Sequence, residues 1–222
     1  LNDQELPGAF LGHLSRRLGL NPEANKEQFF QLCENISPAT GKNLTPRYVA
    51  NRTVNYDISM HAPKSVSVLH ALSKDGHILE VFQKAVRDTM SEIEADSMTR
   101  VRKNGKDEDR HAGEMVYAEF YHMTARPSKD HLPDPHLHAH NVVFNAVFDP
   151  IEQEIKAGQF RYIKRDMPYY QARFQKRLSD GLVEKGYQVR KTAKSFEVVG
   201  VPQSVIDHFS KRTNEIGQFA KE

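Results

Sequence analysis

Two segments near the middle of the chain alternate apolar and polar residues and read as strands. Over 114–124, Val116, Ala118, Phe120 and His122 share one face. Over 136–148, His138, His140, Val142, Phe144, Ala146 and Phe148 share one face, because side chains alternate along a strand with period two. A third strand is expected over 54–60, with Val54, Tyr56, Ile58 and Met60 on one side, Asn55, Asp57 and Ser59 on the other, and Ala62-Pro63 ending it. Helical spacing covers most of the remainder. Phe10, Leu11, Leu14 and Leu18 form a series that stops at Gly19, and short helices are expected over 27–34, 65–72 and from Pro202 to Phe209. A long amphipathic helix is predicted over 78–102, with Ile78, Phe82, Ala85, Val86, Met90 and Ile93 as its buried stripe. Another is predicted over 168–185, where Tyr170, Phe174, Leu178 and Leu182 recur four apart. Residues 103–110 read as a charged turn, 127–135 as a polar loop, and 187–190 with 195–199 as a late hairpin. Strands separated by helices, with a hairpin at the centre, predict an α+β fold. Its core is an antiparallel sheet with flanking helices, in a single domain over 1–222.

The histidines make this pattern chemically interesting. His138 and His140 close the N-terminal edge of an apolar strand face. If 114–124 and 136–148 pair as an antiparallel hairpin, the end of the first lies beside the start of the second, and His122 joins them on that face. Three neutral imidazoles suit zinc, manganese, cobalt or nickel better than magnesium on ligand softness. Three protein ligands leave coordination positions open, as catalytic metal sites require. His136 is expected to lie outside this trio, exposed, and His131 to sit in the loop.

Length and charge narrow the choice only a little. With 222 residues the chain can bury a full core, and its net charge of +2 does not by itself announce nucleic acid. The single cysteine, Cys33, excludes a disulfide or a cysteine-based zinc site within the chain. No apolar run is long enough to cross a membrane and no secretory signal is present, so the expectation is a cytoplasmic, soluble protein. A start at Leu1 rather than methionine predicts an internal piece of something longer. A local basic stretch holds Arg161, Lys164, Arg165 and Arg173 with Tyr162, Tyr169 and Phe174 between them. It reads either as a DNA-backbone contact or as a solvated helix face. Lys64, beside a helix start, reads either as a phosphate contact or as a surface lysine. Tyr169-Tyr170 reads as helix packing.

Four segments, in order, resemble one family. Tyr56-Asp57-Ile58-Ser59-Met60-His61-Ala62-Pro63-Lys64-Ser65-Val66-Ser67 resembles the D-L-T-F-S-A-P-K-S-V-S segment of TrwC/TraI-type (MobF) conjugative relaxases. His122-Met123-Thr124-Ala125-Arg126 resembles their H-x-x-x-R element. Asp134-Pro135-His136-Leu137-His138-Ala139-His140 through Asn145 resembles D-P-x-L-H-T-H…N, and Phe209-Ser210-Lys211-Arg212 resembles F-S-x-R. The resemblance implies an HUH-type endonuclease that nicks single-stranded origin-of-transfer DNA by tyrosine transesterification, through a 5′-phosphotyrosyl intermediate. It implies metal ligation by His122, His138 and His140, an acidic partner for the nucleophile at Asp57, and a phosphate contact at Arg126. The expected cofactor is a divalent metal, magnesium or manganese, with zinc, cobalt or nickel as further choices. The implied partners are single-stranded origin DNA, conjugation accessory proteins and a helicase domain following Glu222.

The chain departs from the family pattern in two ways. The loop between His122 and His138 is longer. The family's nucleophilic tyrosines lie near its N-terminus, upstream of a segment resembling 6–20, whereas no tyrosine here precedes Tyr48, so the nucleophile is expected to be absent from this chain. Two other readings therefore stand beside the relaxase: a cleavage-deficient remnant that binds single-stranded DNA, and a hydrolase using metal-bound hydroxide. Asp57 also sits on the polar side of its strand. It reaches the histidines only if that strand lies at the sheet edge with its polar side toward them, or if a bulge re-aims it.

Overall fold

Every strand and helix centre named above recurs in the folded chain, with corrections at the element ends. The computed structural model describes residues 6–46, 51–73, 75–127 and 132–210. In chain order its elements are β1 (Ala9–Leu11), α1 (His13–Arg17), α2 (Lys26–Cys33), β2 (Asn55–His61), α3 (Lys64–Ser73), α4 (Gly76–Ala95), β3 (Met98–Lys103) and β4 (Lys106–His111). Then follow β5 (Met115–Thr124), β6 (Pro135–Asp149), β7 (Glu154–Lys156), α5 (Arg161–Arg165), α6 (Met167–Glu184), β8 (Val189–Lys191), β9 (Phe196–Val198) and α7 (Gln203–His208). The main sheet runs β1-β5-β6-β2, all antiparallel, with β7 pairing the far end of β6. The α+β reading therefore holds. No helix among the described residues is long and apolar enough to cross a membrane.

The sheet is covered on both faces, which the alternation alone did not convey. On one face, Leu137, Ala139, Val143 and Val147 of β6 meet Phe82, Val86 and Met90 of α4 and Phe174, Leu178 and Leu182 of α6 in the larger core. The predicted stripes of both helices are buried there. On the opposite face, Val116, Ala118, Phe144, Ala146 and Phe148 meet Phe10, Leu14, Leu18 and Leu32 in a smaller core beneath α1 and α2. The apolar face that carries His138 and His140 is thus the minor one.

Three expectations are corrected. The series from Phe10 to Leu18 is not one helix: Ala9–Leu11 pairs with β5, and α1 begins only at His13. Gly12 forces the break. Its φ of 88° is left-handed, and a Cβ there would lie 2.2 Å from the Met115 carbonyl oxygen. The long helix ends at Ala95 rather than 102, and the expected charged turn is half of the β3–β4 hairpin. Thr99 and Val101 are buried while Arg100 and Arg102 are exposed, a period-two pattern concealed by charge. Asn104 and Gly105, at φ 52° and 78°, close the hairpin in the tight turn that Asn-Gly favours.

Candidate active site

The register of three strands assembles the site. His122 on β5 lies directly opposite His138 on β6, which lies directly opposite His61 on β2. One step along, Phe120, His140 and Ser59 form the next row, and Ala118, Val142 and Asp57 the one after. Directly opposed residues share a face, so four carboxyl- and imidazole-bearing positions of β2 and β6, namely Asp57, His61, His138 and His140, are aligned without any bulge. The question over Asp57 resolves as the first alternative: β2 is the edge strand of the sheet path, and its polar side faces the histidines.

The imidazoles of His122, His138 and His140 form a nearly equilateral triangle, with ring centroids 5.1 Å (122–138), 5.4 Å (122–140) and 5.1 Å (138–140) apart. All three are half-buried. Imidazoles holding one cation tetrahedrally, with metal–nitrogen distances of about 2.1 Å, have centroids about 5 Å apart. The spacing therefore fits a metal. Ring orientation does not yet do so: His122 lies nearly flat on His138, at 26°. Among the described residues no group of three or more His, Cys, Asp or Glu side chains stands ready to hold a metal ion. Turning the rings about their terminal torsion, which is broad for histidine, is the motion a cation would require.

The partners of the rings decide which nitrogen is left for ligation. His138 Nδ1–H donates to the carbonyl oxygen of His136 at 2.8 Å, and His140 Nδ1–H donates to Asp57 Oδ2 at 2.7 Å. Each therefore keeps Nε2 as its lone-pair nitrogen. The Ser59 hydroxyl adds a donor to Asp57 Oδ2 at 3.1 Å. A carboxylate behind a ligand imidazole fixes ring and tautomer, the usual outer support of a metal site. Burial, together with the neighbouring charges of His122, His140 and His61, pushes His138 down to about 4. It is neutral, and able to ligate, at neutral pH.

The remaining candidates divide by location. Lys64 opens α3, and its ammonium donates to the Pro135 carbonyl oxygen at 3.0 Å, at the start of the histidine strand. Arg126 is exposed just beyond the end of β5, where Ala125 N–H donates to the Asp134 carbonyl oxygen. Both stand at the histidine end of the sheet. Arg161, Lys164, Arg165 and Arg173 do not: α5 and α6 pack into the core on the opposite face. Arg161 pairs with Asp109 at 2.7 Å, Arg165 with Asp166 at 2.7 Å and Arg173 with Glu92 at 3.3 Å, while Lys164 is exposed. Tyr170 is buried in α6, as expected, and its hydroxyl donates to Asp96 at 2.7 Å.

Three residues of the cluster escaped sequence reasoning. Ser59 and His61 follow Asp57 at period two, and that stretch is the signal that finds them. His136 is corrected: it has the same even parity as His138 and His140, and its ring lies 4.6 Å from His138. Tyr56 packs on Phe160, Tyr117 and Tyr121 are buried in the larger core, and Tyr162, Tyr169 and Tyr187 contact Arg161, Glu92 and Asp75. No described tyrosine sits at the imidazoles; Tyr48, His131, Lys211 and Arg212 lie outside the described residues.

An antiparallel sheet whose central strand presents His138-Ala139-His140, with a third imidazole on the neighbouring strand, defines a protein of the HUH class. More narrowly, residues 1–222 match the TrwC relaxase family model, and the chain belongs to that family. It is 27% identical over 215 residues to the multifunctional conjugation protein TraI of Escherichia coli strain K12, covering 92% of this chain but only 12% of that protein. It is similar to the metal-bound structure of conjugative relaxase TrwC in complex with OriT DNA, with TM-score 0.88, 25% identity, and coverage of 96% of this chain and 73% of that one. The corresponding metal-free complex has TM-score 0.87, 26% identity, and coverage of 96% and 74%.

Proposed function

We propose that this chain is the metal-binding and DNA-binding core of a relaxase that nicks one strand of origin-of-transfer DNA by tyrosine transesterification. The observation that carries the reading is the triangle of His122, His138 and His140 on adjoining strands, in a chain of the TrwC relaxase family. His122, His138 and His140 would hold one divalent cation, of which manganese and magnesium are the first choices. When bound, the cation withdraws charge from a non-bridging phosphate oxygen. Asp57 accepts from the His140 ring, and its carboxylate is assigned to receive the phenolic proton. In the step itself the tyrosine oxygen–phosphorus bond forms, the phosphorus–O3′ bond breaks, and the departing O3′ takes up a proton, in net the one released by the phenol, to leave as a free 3′-hydroxyl.

Lys64 and Arg126 contact phosphates near the scissile one. Arg161, Lys164, Arg165 and Arg173 would meet only DNA that wraps onto the helical side. The attacking tyrosine comes from outside the described residues. TrwC complexes with OriT DNA exist both metal-bound and metal-free, which supports assigning DNA capture to the protein surface and cleavage to the cation. Accessory conjugation proteins and a helicase domain belong to this reading as partners of the longer protein.

Labelled single-stranded oligonucleotides tiling the transfer origin, with Mn²⁺, test it on a form extended upstream to include tyrosines. A covalent protein–DNA adduct that disappears in His138→Ala is expected. Binding with no adduct in any form would instead indicate a cleavage-deficient remnant. Cleavage without an adduct would indicate a metal-hydroxide hydrolase.

A further inference from the structure

The imidazole cluster does not end with the trio. His61 Nδ1 lies 3.0 Å from His136 Nε2, and the two ring centroids are 5.1 Å apart. His61 is exposed and His136 half-buried, so a solvent ion can reach both. In the family segment the residue at the place of His61 is serine, and the place of His136 is unrestricted. This pair is therefore a feature of this chain that the nicking reaction leaves unused. The contact is a hydrogen bond between the rings; two nitrogens 3.0 Å apart subtend an angle of about 90° at a cation bound about 2.1 Å from each, so a divalent transition metal that displaces the shared proton would be chelated by the pair.

We infer that His61 and His136 form a second cation site beside the trio, selective for the nickel, copper and zinc class over magnesium. Two imidazoles are borderline-soft donors, and magnesium keeps its water and oxygen ligands in preference to them. Water fills the remaining positions, since the pair supplies only two donors. His61 also lies flat on His138, with centroids 5.5 Å apart at 15°. The pair thus lies beside the first site, on the same strand face. Charge placed there would face the backbone of any strand laid across the trio, as in sites that clamp a phosphate between two metals.

The pair's nitrogens meet whether or not the trio is loaded or nicks DNA. The test is nickel stoichiometry of the untagged, metal-stripped chain by native mass spectrometry and calorimetry. The parent is expected to take two equivalents. His61→Ser, which restores the family's residue at an exposed position, is expected to take one, as is His136→Ala. The double variant His122→Ala/His140→Ala is expected to keep one equivalent through the pair. A single equivalent lost in His61→Ser but kept in that double variant would still uphold the pair while removing the trio. Nickel binding in His61→Ser equal to that of the parent would overturn the inference and leave the 3.0 Å contact as a hydrogen bond between rings.

Discussion

Asp57 is the group on which the site's order depends most directly, and replacing it gives a graded test. Asp57→Asn keeps a carbonyl oxygen able to accept from His140 Nδ1–H but removes the charge. Asp57→Ala removes both. The Asp57 side chain is 46% exposed and that of His140 32%, so the charge acts through water-screened surroundings. Screened pairs of this kind contribute about 1 kcal/mol or less, which places Asp57→Asn at about a threefold to fivefold loss in metal affinity. Removing an orienting partner behind a ligand costs about 10–100-fold. Asp57→Ala belongs at the lower end, about tenfold, because the Ser59 hydroxyl stays within 3.2 Å of His140 Nδ1. Calorimetric titration with Mn²⁺, alongside thermal unfolding, separates affinity from folding. The melting temperature should move by no more than about 3 °C in either variant, since 1 kcal/mol corresponds to about 2–4 °C in a domain of this size. Affinity of Asp57→Ala within twofold of the parent would refute the claim that this carboxylate holds the His140 ring for ligation.

Two further predictions probe separate parts of the fold. His138→Ala should abolish Mn²⁺ binding at the trio in the same titration while leaving the far-ultraviolet circular dichroism unchanged, because the ring is half-buried at the sheet's open end rather than in either core. Asp149 is fully buried where β6 turns into β7; it accepts from Arg110 at 2.8 Å, Lys156 at 3.0 Å and the Ile151 amide at 3.0 Å. Burial alone would raise its carboxyl, but Lys156, the Ile151 amide and Arg110 outweigh this and hold it down to about 2. A carboxyl lowered on folding stabilises the protein above its unfolded value near 4, and that contribution fades as pH falls through about 2. Asp149→Asn should therefore cost about 2 kcal/mol at pH 7 and flatten the acid limb of stability between pH 4 and pH 2. Urea unfolding across that range reads both effects, and an acid limb as steep as the parent's would count against the assignment.

How much of this could be read beforehand follows from where the chemistry sits. Period-two and four-apart spacing located β5, β6, α4 and α6, because each carries a regularly spaced apolar stripe, although β5 and β6 are buried on both faces. The same rule failed where a backbone conformation intervened. Gly12 breaks a run of helical spacing by taking a left-handed φ beside Met115, and only the tertiary approach of β5 reveals why. The β3–β4 hairpin was hidden because its exposed positions are arginines and acids, while its turn signal, Asn104-Gly105, lay inside a run already assigned to charge. Parity within β6 placed His138 and His140 together. Parity within β2 could not be oriented, since nothing local states which side of an edge strand faces its neighbour's histidines.

That unresolved orientation explains why the site has more members than the trio. Once Ser59 pairs with His140, every second residue of β2 is committed to the imidazole face, and Ile58 and Met60 are committed to the larger core. A one-residue slip would bury Asp57 and His61 against α3 and α4 while exposing Met60, so core packing selects the register that assembles the site. The smaller core ends at Val142 and Phe120, which pack against it from its edge. The histidine rows extend beyond it, past the part of that face that α1 and α2 cover among the described residues. The same burial that fixes the sheet thus leaves the imidazoles of His122, His138 and His140 only half-buried, with solvent access.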